Sequence, residues 1–219
     1  MGPWGLWVSL LYGLNNIFFI IALHHTSVAN LLIIMALTPL VCALLSLVFL
    51  SEKISLSTWL AIAFCFLGVS LIIHDGIGTE NYYGNFMAVL SVITLAGAIV
   101  FTRKSGQNLT TTPAFAGLIA AVFAYPFAQS LALDATQWGL MFTDGIVVMA
   151  IAFGMLAYAP TLLPAAQVAM FYLLETVFGP LWVWLVVGEQ PSKMALIGGA
   201  VVIVTLIVHS TIDLRSRSR

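Results

Sequence analysis

The sequence predicts an all-α fold, a polytopic membrane bundle of about eight transmembrane helices, because most of its residues are apolar and very few are charged. Hydrophobic residues make up 62% of the 219 residues and charged residues only 7%, and the mean hydropathy is +1.10. Soluble domains keep roughly a quarter of their residues charged in order to cover their surface. Composition therefore excludes an ordinary soluble domain. The net charge of −1 also provides no basic face for nucleic acid.

Apolar runs separated by short polar segments give the positions of the predicted helices. A helix needs about 20 apolar residues to cross the hydrocarbon core, since each residue rises about 1.5 Å. The segments between runs carry polar or charged residues, Gly or Pro, as at His24 and His25 or at Glu52 and Lys53, and none is long enough for a soluble domain. The predicted spans are residues 4–23, 28–50, 59–73, 83–102, 113–132, 142–158, 165–187 and 194–209.

Lys and Arg residues indicate the orientation of these helices, because cytoplasmic loops carry an excess of both. An even number of spans places both termini on the same side of the membrane. With that side taken as the cytoplasm, six of the seven basic residues lie inside and only Lys193 lies outside. The sequence therefore predicts a multi-pass protein of the cell membrane with both termini cytoplasmic.

Two long segments align at an offset of 137 residues, which indicates an internal repeat. Residues 27–55 then lie over residues 164–192, with Glu52 over Glu189. The predicted orientation places the Glu52 loop inside and the Glu189 loop outside, so the two copies are inverted. Inverted repeats are a recurrent plan of secondary transporters, whose substrate site lies at the repeat interface. The alternative is that any two apolar helices align tolerably.

The ends of both repeats resemble the EamA-type permeases of the drug/metabolite transporter superfamily. The resemblance rests on ALLSLVFLSEKIS and LWVWLVVGEQPS, in which a long apolar helix ends close to Glu, and on the glycines of the next helix, Gly68 and Gly198-Gly199. It implies a ten-helix carrier that moves small metabolites by alternating access. The repeat offset places the first two of those helices before residue 1, so the chain is expected to lack them.

This resemblance divides the chain into three segments. Residues 1–76 correspond to the later three helices of the first EamA repeat, residues 83–212 to the five helices of the second, and residues 213–219 to a basic cytoplasmic tail. The resemblance implies a small-molecule substrate, and family members carry amino acids, nucleotide-related metabolites, vitamins or drugs. No motif selects among these substrates. A homodimer stays open, and neither a cofactor nor a metal site is predicted.

Polar residues at mid-span depth are the candidates for substrate binding, because polar groups inside the bilayer are costly. Glu175 lies near the centre of span 165–187, where a carboxylate costs roughly 2.5–3.5 kcal/mol on insertion scales. We expect it to contact a substrate amine or to couple a proton. The alternative is a structural acid that bonds to backbone opened by Pro180. The repeat superposes Glu175 on Thr38, which is a second candidate or a packing hydroxyl.

Three further residues complete the predicted substrate site. Asn15 and Asn16 lie in the middle of the first span, and adjacent side chains on a helix point about 100° apart. At least one of them is therefore expected to line the cavity, unless both form bonds between helices. Tyr172 lies three residues before Glu175 and shares its face of the helix. It is expected to stack on substrate or to hold the carboxylate.

Other notable residues have a structural interpretation. Glu52 and Glu189 lie at the water interface, where a cap or a gate contact is favoured over substrate binding. Small residues such as Gly68 and Gly117 predict close helix packing, and Pro39 predicts a kink within its span. The four histidines show no metal-ligand spacing.

Two other classes of function compete with a carrier. An intramembrane enzyme lacks support, because neither a Gly-x-Ser-x-Gly nor a His-Glu-x-x-His motif is present. The second is a transport-inactive remnant of a carrier, which the expected absence of two helices keeps open. The sequence leaves the substrate, the direction of transport and the coupling ion undetermined.

Overall fold

The computed structural model describes residues 2–26, 28–72, 82–127, 134–188 and 193–217. Within these ranges the chain forms helices joined by turns, without any strand, which confirms the predicted all-α membrane bundle. The α-helices are α1 Pro3–His25, α2 Val28–Met35, α3 Thr38–Phe49, α4 Leu56–Ile72, α5 Tyr82–Ser105, α6 Thr112–Ala124, α7 Ala135–Phe142, α8 Ala150–Leu162, α9 Ala165–Val187 and α10 Lys193–Arg217.

Only some of the described helices are long enough to be identified as membrane spans by length and composition. Among the described residues, α1, α5 and the continuous helix formed by residues 135–162 are long and apolar enough to cross a bilayer. The last of these joins α7 to α8 through a π-helical stretch at Thr143–Met149. The remaining spans contain shorter apolar helices.

The helix that contains the predicted sixth span, residues 142–158, extends beyond that span at both ends. Asp134 starts the helix earlier through a capping box: its carboxylate accepts a bond from the Gln137 amide, and the Gln137 side chain accepts one from the Asp134 amide. At the other end the helix continues through Pro160 and stops at Leu162. Proline removes one backbone donor, which a membrane helix tolerates near its end.

The predicted second span is interrupted where Pro39 was expected to kink it. Helix α2 ends at Met35 and α3 begins at Thr38. Because Pro39 has no N–H, it cannot donate to the Met35 carbonyl four residues earlier. The Thr38 hydroxyl donates to that carbonyl instead, at 2.6 Å. This side chain thus replaces the backbone bond that proline removes.

Packing between helices supports the proposed repeat. At the offset of 137 residues, α2 and α3 lie over α9, and α4 lies over α10. The equivalent helices contact each other, since α4 packs along α10 and α3 packs on α9. Helix α1 packs mainly on α5 and α6. The apolar core lies among α1, α3, α4, α5, α9 and α10.

Gly68, one of the predicted packing glycines, lies at a close helix crossing. A Cβ atom on Gly68 would lie 2.9 Å from the Gly198 carbonyl oxygen and 2.8 Å from a Val202 methyl group, so α4 and α10 approach each other through Gly68. The expectation for Gly117 is wrong. A Cβ atom there would meet no described atom within 4 Å, because Gly117 faces outward from α6.

Candidate functional site

A buried group of hydroxyls lies between the two halves of the chain. The Tyr12 hydroxyl on α1 lies close to the side chains of Thr102 on α5 and Tyr172 on α9. Tyr12 is buried and Tyr172 is half-buried. Thr102 donates to the Ala98 carbonyl at 2.8 Å. The contact between α1, α5 and α9 therefore contains three neighbouring side-chain hydroxyls.

The two neighbouring asparagines have different surroundings. Asn15 is buried, and its amide donates to the carbonyl and the hydroxyl of Ser91 on α5, at 3.0 and 2.7 Å. Asn15 thus forms a bond between helices α1 and α5, which is the alternative to lining the substrate cavity. Asn16 instead lines a largely apolar cavity between α1 and α6, together with His24 and Phe123. Asn15 and Asn16 thus face different surroundings, because adjacent side chains on a helix point about 100° apart.

The remaining predicted site residues are placed as follows. Thr38 is 2% exposed and donates to its own helix junction, which accounts for its hydroxyl. Tyr172 lies two turns inside α9 and joins the buried hydroxyl group. Glu175 lies on the same helix, but its side chain is outside the described part of the structure. The whole of Glu189 is outside it. Substrate binding by these residues therefore stays a prediction.

An ion pair joins three segments at one end of the bundle. Arg103, near the end of α5, donates from Nε to Glu52 Oε1 at 2.6 Å, and its Nη2 atom lies 2.6 Å from the same oxygen. Its Nη1 atom donates to the Leu163 carbonyl at 2.9 Å and reaches the Pro160 carbonyl at 3.4 Å. Arg103 thereby connects the α3–α4 loop to the α8–α9 connection.

A polar cavity of about 270 Å³ opens beside this ion pair. We call it the loop cavity, and its polar and charged lining consists of Ser46, Glu52, Lys53, Ser55, Thr58, Arg103 and Gln167. Ser46 is 1% exposed, and its hydroxyl has no hydrogen-bond partner among the described residues. Gln167 is 8% exposed. Buried polar groups normally have partners, so this lining is suited to a polar solute.

The wall of the loop cavity also includes a link between α4 and α10. Thr58 Oγ1 lies 3.1 Å from Nε2 of His209, which is buried. On its other side Thr58 is bonded to Ser55, whose hydroxyl lies 2.9 Å away and accepts the Thr58 amide. These bonds fix the start of α4 against the later part of α10.

No group of three His, Cys, Asp or Glu side chains that could hold a metal ion gathers within the described ranges.

Ser46 and Arg103 were not predicted as site residues. Ser46 carries no motif, and its place in the loop cavity depends on packing between distant helices. Arg103 contributed only to the predicted orientation of the chain, although that orientation put Arg103 and Glu52 on the same side of the membrane. Opposite charges on the same side of a small bundle can pair.

These features together define a multi-pass helical membrane protein whose apolar core contains a few buried hydroxyls, with an ion pair and a polar cavity at one end. The sequence profile of the EamA-like transporter family matches residues 3–74 and 82–211. The chain therefore belongs to the EamA-like transporter family and is a membrane transporter.

Individual relatives agree with that assignment. The pseudopaline exporter CntI of two Pseudomonas aeruginosa strains is 27% identical over 194 residues, which cover 86% of this chain and 68% of the exporter. A protein of known crystal structure is similar with a TM-score of 0.81 and 19% identity, over 98% of this chain and 79% of that protein. An identity this low shows a shared fold alone.

Proposed function

We propose that this chain exports a small polar metabolite across the cell membrane by alternating access. The observation that carries the proposal is the arrangement at one end of the bundle. There the Glu52–Arg103 pair joins the α3–α4 loop to α5, beside the polar lining of the loop cavity. A polar cavity next to a contact that can break and re-form is what a carrier needs in order to alternate between two states. The similarity to an exporter favours the outward direction.

Export predicts a specific change in the medium of cells that produce the chain. Expressing cells and vector-only cells would be compared by mass spectrometry of the small molecules outside them. At least one polar metabolite should accumulate outside the expressing cells, and the same compound should exchange across proteoliposomes that contain the purified chain. An inserted, folded chain that moves nothing would favour the transport-inactive alternative.

The proposed orientation can be measured independently of transport. A cysteine at Ser51 should react with a membrane-impermeant maleimide only from the cytoplasmic side, and a cysteine at Gln190 only from outside. The native Cys42 and Cys65 are buried free thiols, so the unmodified chain serves as a low-background control. Labelling of both new cysteines from the same side would contradict the inverted topology and the cytoplasmic location of both termini.

The other finer expectations belong to the same proposal. As a carrier the chain would have no catalytic step and no nucleic-acid partner; its surroundings would be lipid and its ligand a small molecule. A homodimer stays a prediction, which native mass spectrometry of the chain in nanodiscs would test. Turnover of a lipid or peptide by the purified chain would instead support the intramembrane-enzyme alternative.

A further inference from the structure

Arg103 is held in place independently of its acidic partner. Its Nη1 atom donates to the Leu163 carbonyl at 2.9 Å and lies 3.4 Å from the Pro160 carbonyl. These acceptors belong to the backbone where α8 ends, so their positions do not depend on Glu52. The other edge of the guanidinium, Nε and Nη2, faces Glu52. Such an edge is suited to a planar carboxylate.

Glu52 is the more easily exchanged partner of this pair. It lies in the segment between α3 and α4, next to Ser51, whose φ of 54° is a left-handed conformation that non-glycine residues rarely adopt. Its side chain is 30% exposed. Both contacts to Arg103 use the single oxygen Oε1, although a carboxylate can offer both oxygens to a guanidinium. Glu52 therefore occupies the outer edge of the Arg103 guanidinium with only one of its two carboxylate oxygens.

The loop cavity surrounds this position with groups that suit a small anionic solute. Lys53 adds a second positive charge, so removal of Glu52 from the pair leaves two cations at the cavity. Ser46, whose buried hydroxyl has no described partner, and Gln167 provide hydrogen-bonding groups. A volume of about 270 Å³ accommodates a molecule of amino-acid size rather than a large drug.

We propose that the loop cavity binds small solutes that bear a carboxylate, and that this carboxylate takes the place of Glu52 on Arg103. Exchange of one carboxylate for the other releases the α3–α4 loop from the end of α5. Solute binding thereby loosens the end of the bundle where the ion pair joins the two segments. The assignment of this event to substrate entry rests on the proposed export function, whereas the binding itself does not.

The test compares two probes that differ only in the acidic group, N-acetylglycine and N-acetylglycinamide. Their binding to the purified chain in nanodiscs would be measured by calorimetry, without any gradient. The unmodified chain should bind the carboxylate and not the amide. Glu52→Gln should bind the carboxylate about tenfold more tightly, because a competing internal carboxylate lowers the fraction of free sites. Arg103→Gln should abolish binding.

The outcome for Glu52→Gln separates the proposal from a purely structural ion pair. A structural pair predicts that this variant binds the carboxylate no more tightly than the unmodified chain, and that result would overturn the proposal, as would equal binding of the amide. If Arg103→Gln does not fold, Arg103→Lys retains the charge without the planar fork and should weaken binding severalfold. Asp144→Asn, at an exposed position, controls for loss of a carboxylate elsewhere. Failure of export with intact binding would count against the proposed function alone.

Discussion

Glu175→Gln should lower the rate of export by about ten- to a hundredfold, since a bond to a charged group contributes about 1.5–3 kcal/mol. The substitution preserves the size of the side chain and removes its charge. Glu175 is placed near the middle of α9, three residues after Tyr172, which joins the buried hydroxyls. A carboxylate at that depth is costly and is expected to serve a substrate amine or a proton. Efflux of the exported metabolite from loaded cells provides the measurement.

The control for this experiment is another acidic residue on a helix. Asp144 lies in the π-helical stretch between α7 and α8 and is exposed, so Asp144→Asn should leave efflux unchanged. Membrane insertion of both variants would be compared by quantitative blotting. An unchanged efflux rate for Glu175→Gln, at equal abundance, would remove Glu175 from the mechanism. A changed dependence of efflux on external pH would assign it to proton coupling.

Gly68→Ala should lower the free energy of unfolding by about 1–3 kcal/mol, the usual cost of forcing extra volume into a packed interface. The new methyl group would lie 2.9 Å from the Gly198 carbonyl oxygen, a backbone atom that can yield only if α4 and α10 separate. Thermal unfolding in detergent, followed by size-exclusion chromatography with fluorescence detection, would measure the change.

Gly117→Ala is the matched control, because it introduces the same methyl group into another membrane helix. Its surroundings contain no described atom within 4 Å of the new Cβ, so no clash arises. The exchange should be neutral or raise stability by about 0.5–1 kcal/mol, since alanine favours the helix more than glycine does. Equal destabilisation by both substitutions would mean that helix propensity decides the result, rather than the α4–α10 contact.

The sequence predicted the helices well because their signal is local. The length of an apolar run is set by bilayer thickness. Pro39 interrupts its span close to Met35, because proline has no N–H to donate to the Met35 carbonyl. Errors arose where a local signal was ambiguous. The predicted sixth span stops at residue 158, yet the helix continues past Pro160 to Leu162, without the backbone hydrogen bond that Pro160 cannot donate. The sequence cannot distinguish Gly68 from Gly117, because the difference is that another helix packs against Gly68 and none of the described residues packs against Gly117.

The candidate sites were less predictable, because they depend on contacts between residues far apart in sequence. Asn15 and Asn16 could not be told apart until Ser91 was found opposite Asn15. The bond between Glu52 and Arg103 joins residues that are 51 positions apart. Topology placed both on one side of the membrane, but it could not supply the backbone carbonyl of Leu163 that fixes the arginine.

The junction between α2 and α3 has a mechanical consequence. In an ordinary helix, bending at mid-membrane depth must break backbone hydrogen bonds in a medium that offers no water to replace them. Here proline has already removed one such bond, and the Thr38 hydroxyl, which can rotate, satisfies the Met35 carbonyl instead. A change in the angle between the two half-helices would therefore break one backbone hydrogen bond fewer than it would in an uninterrupted helix. We expect the chain to bend more easily at Thr38 and Pro39 than elsewhere in this span.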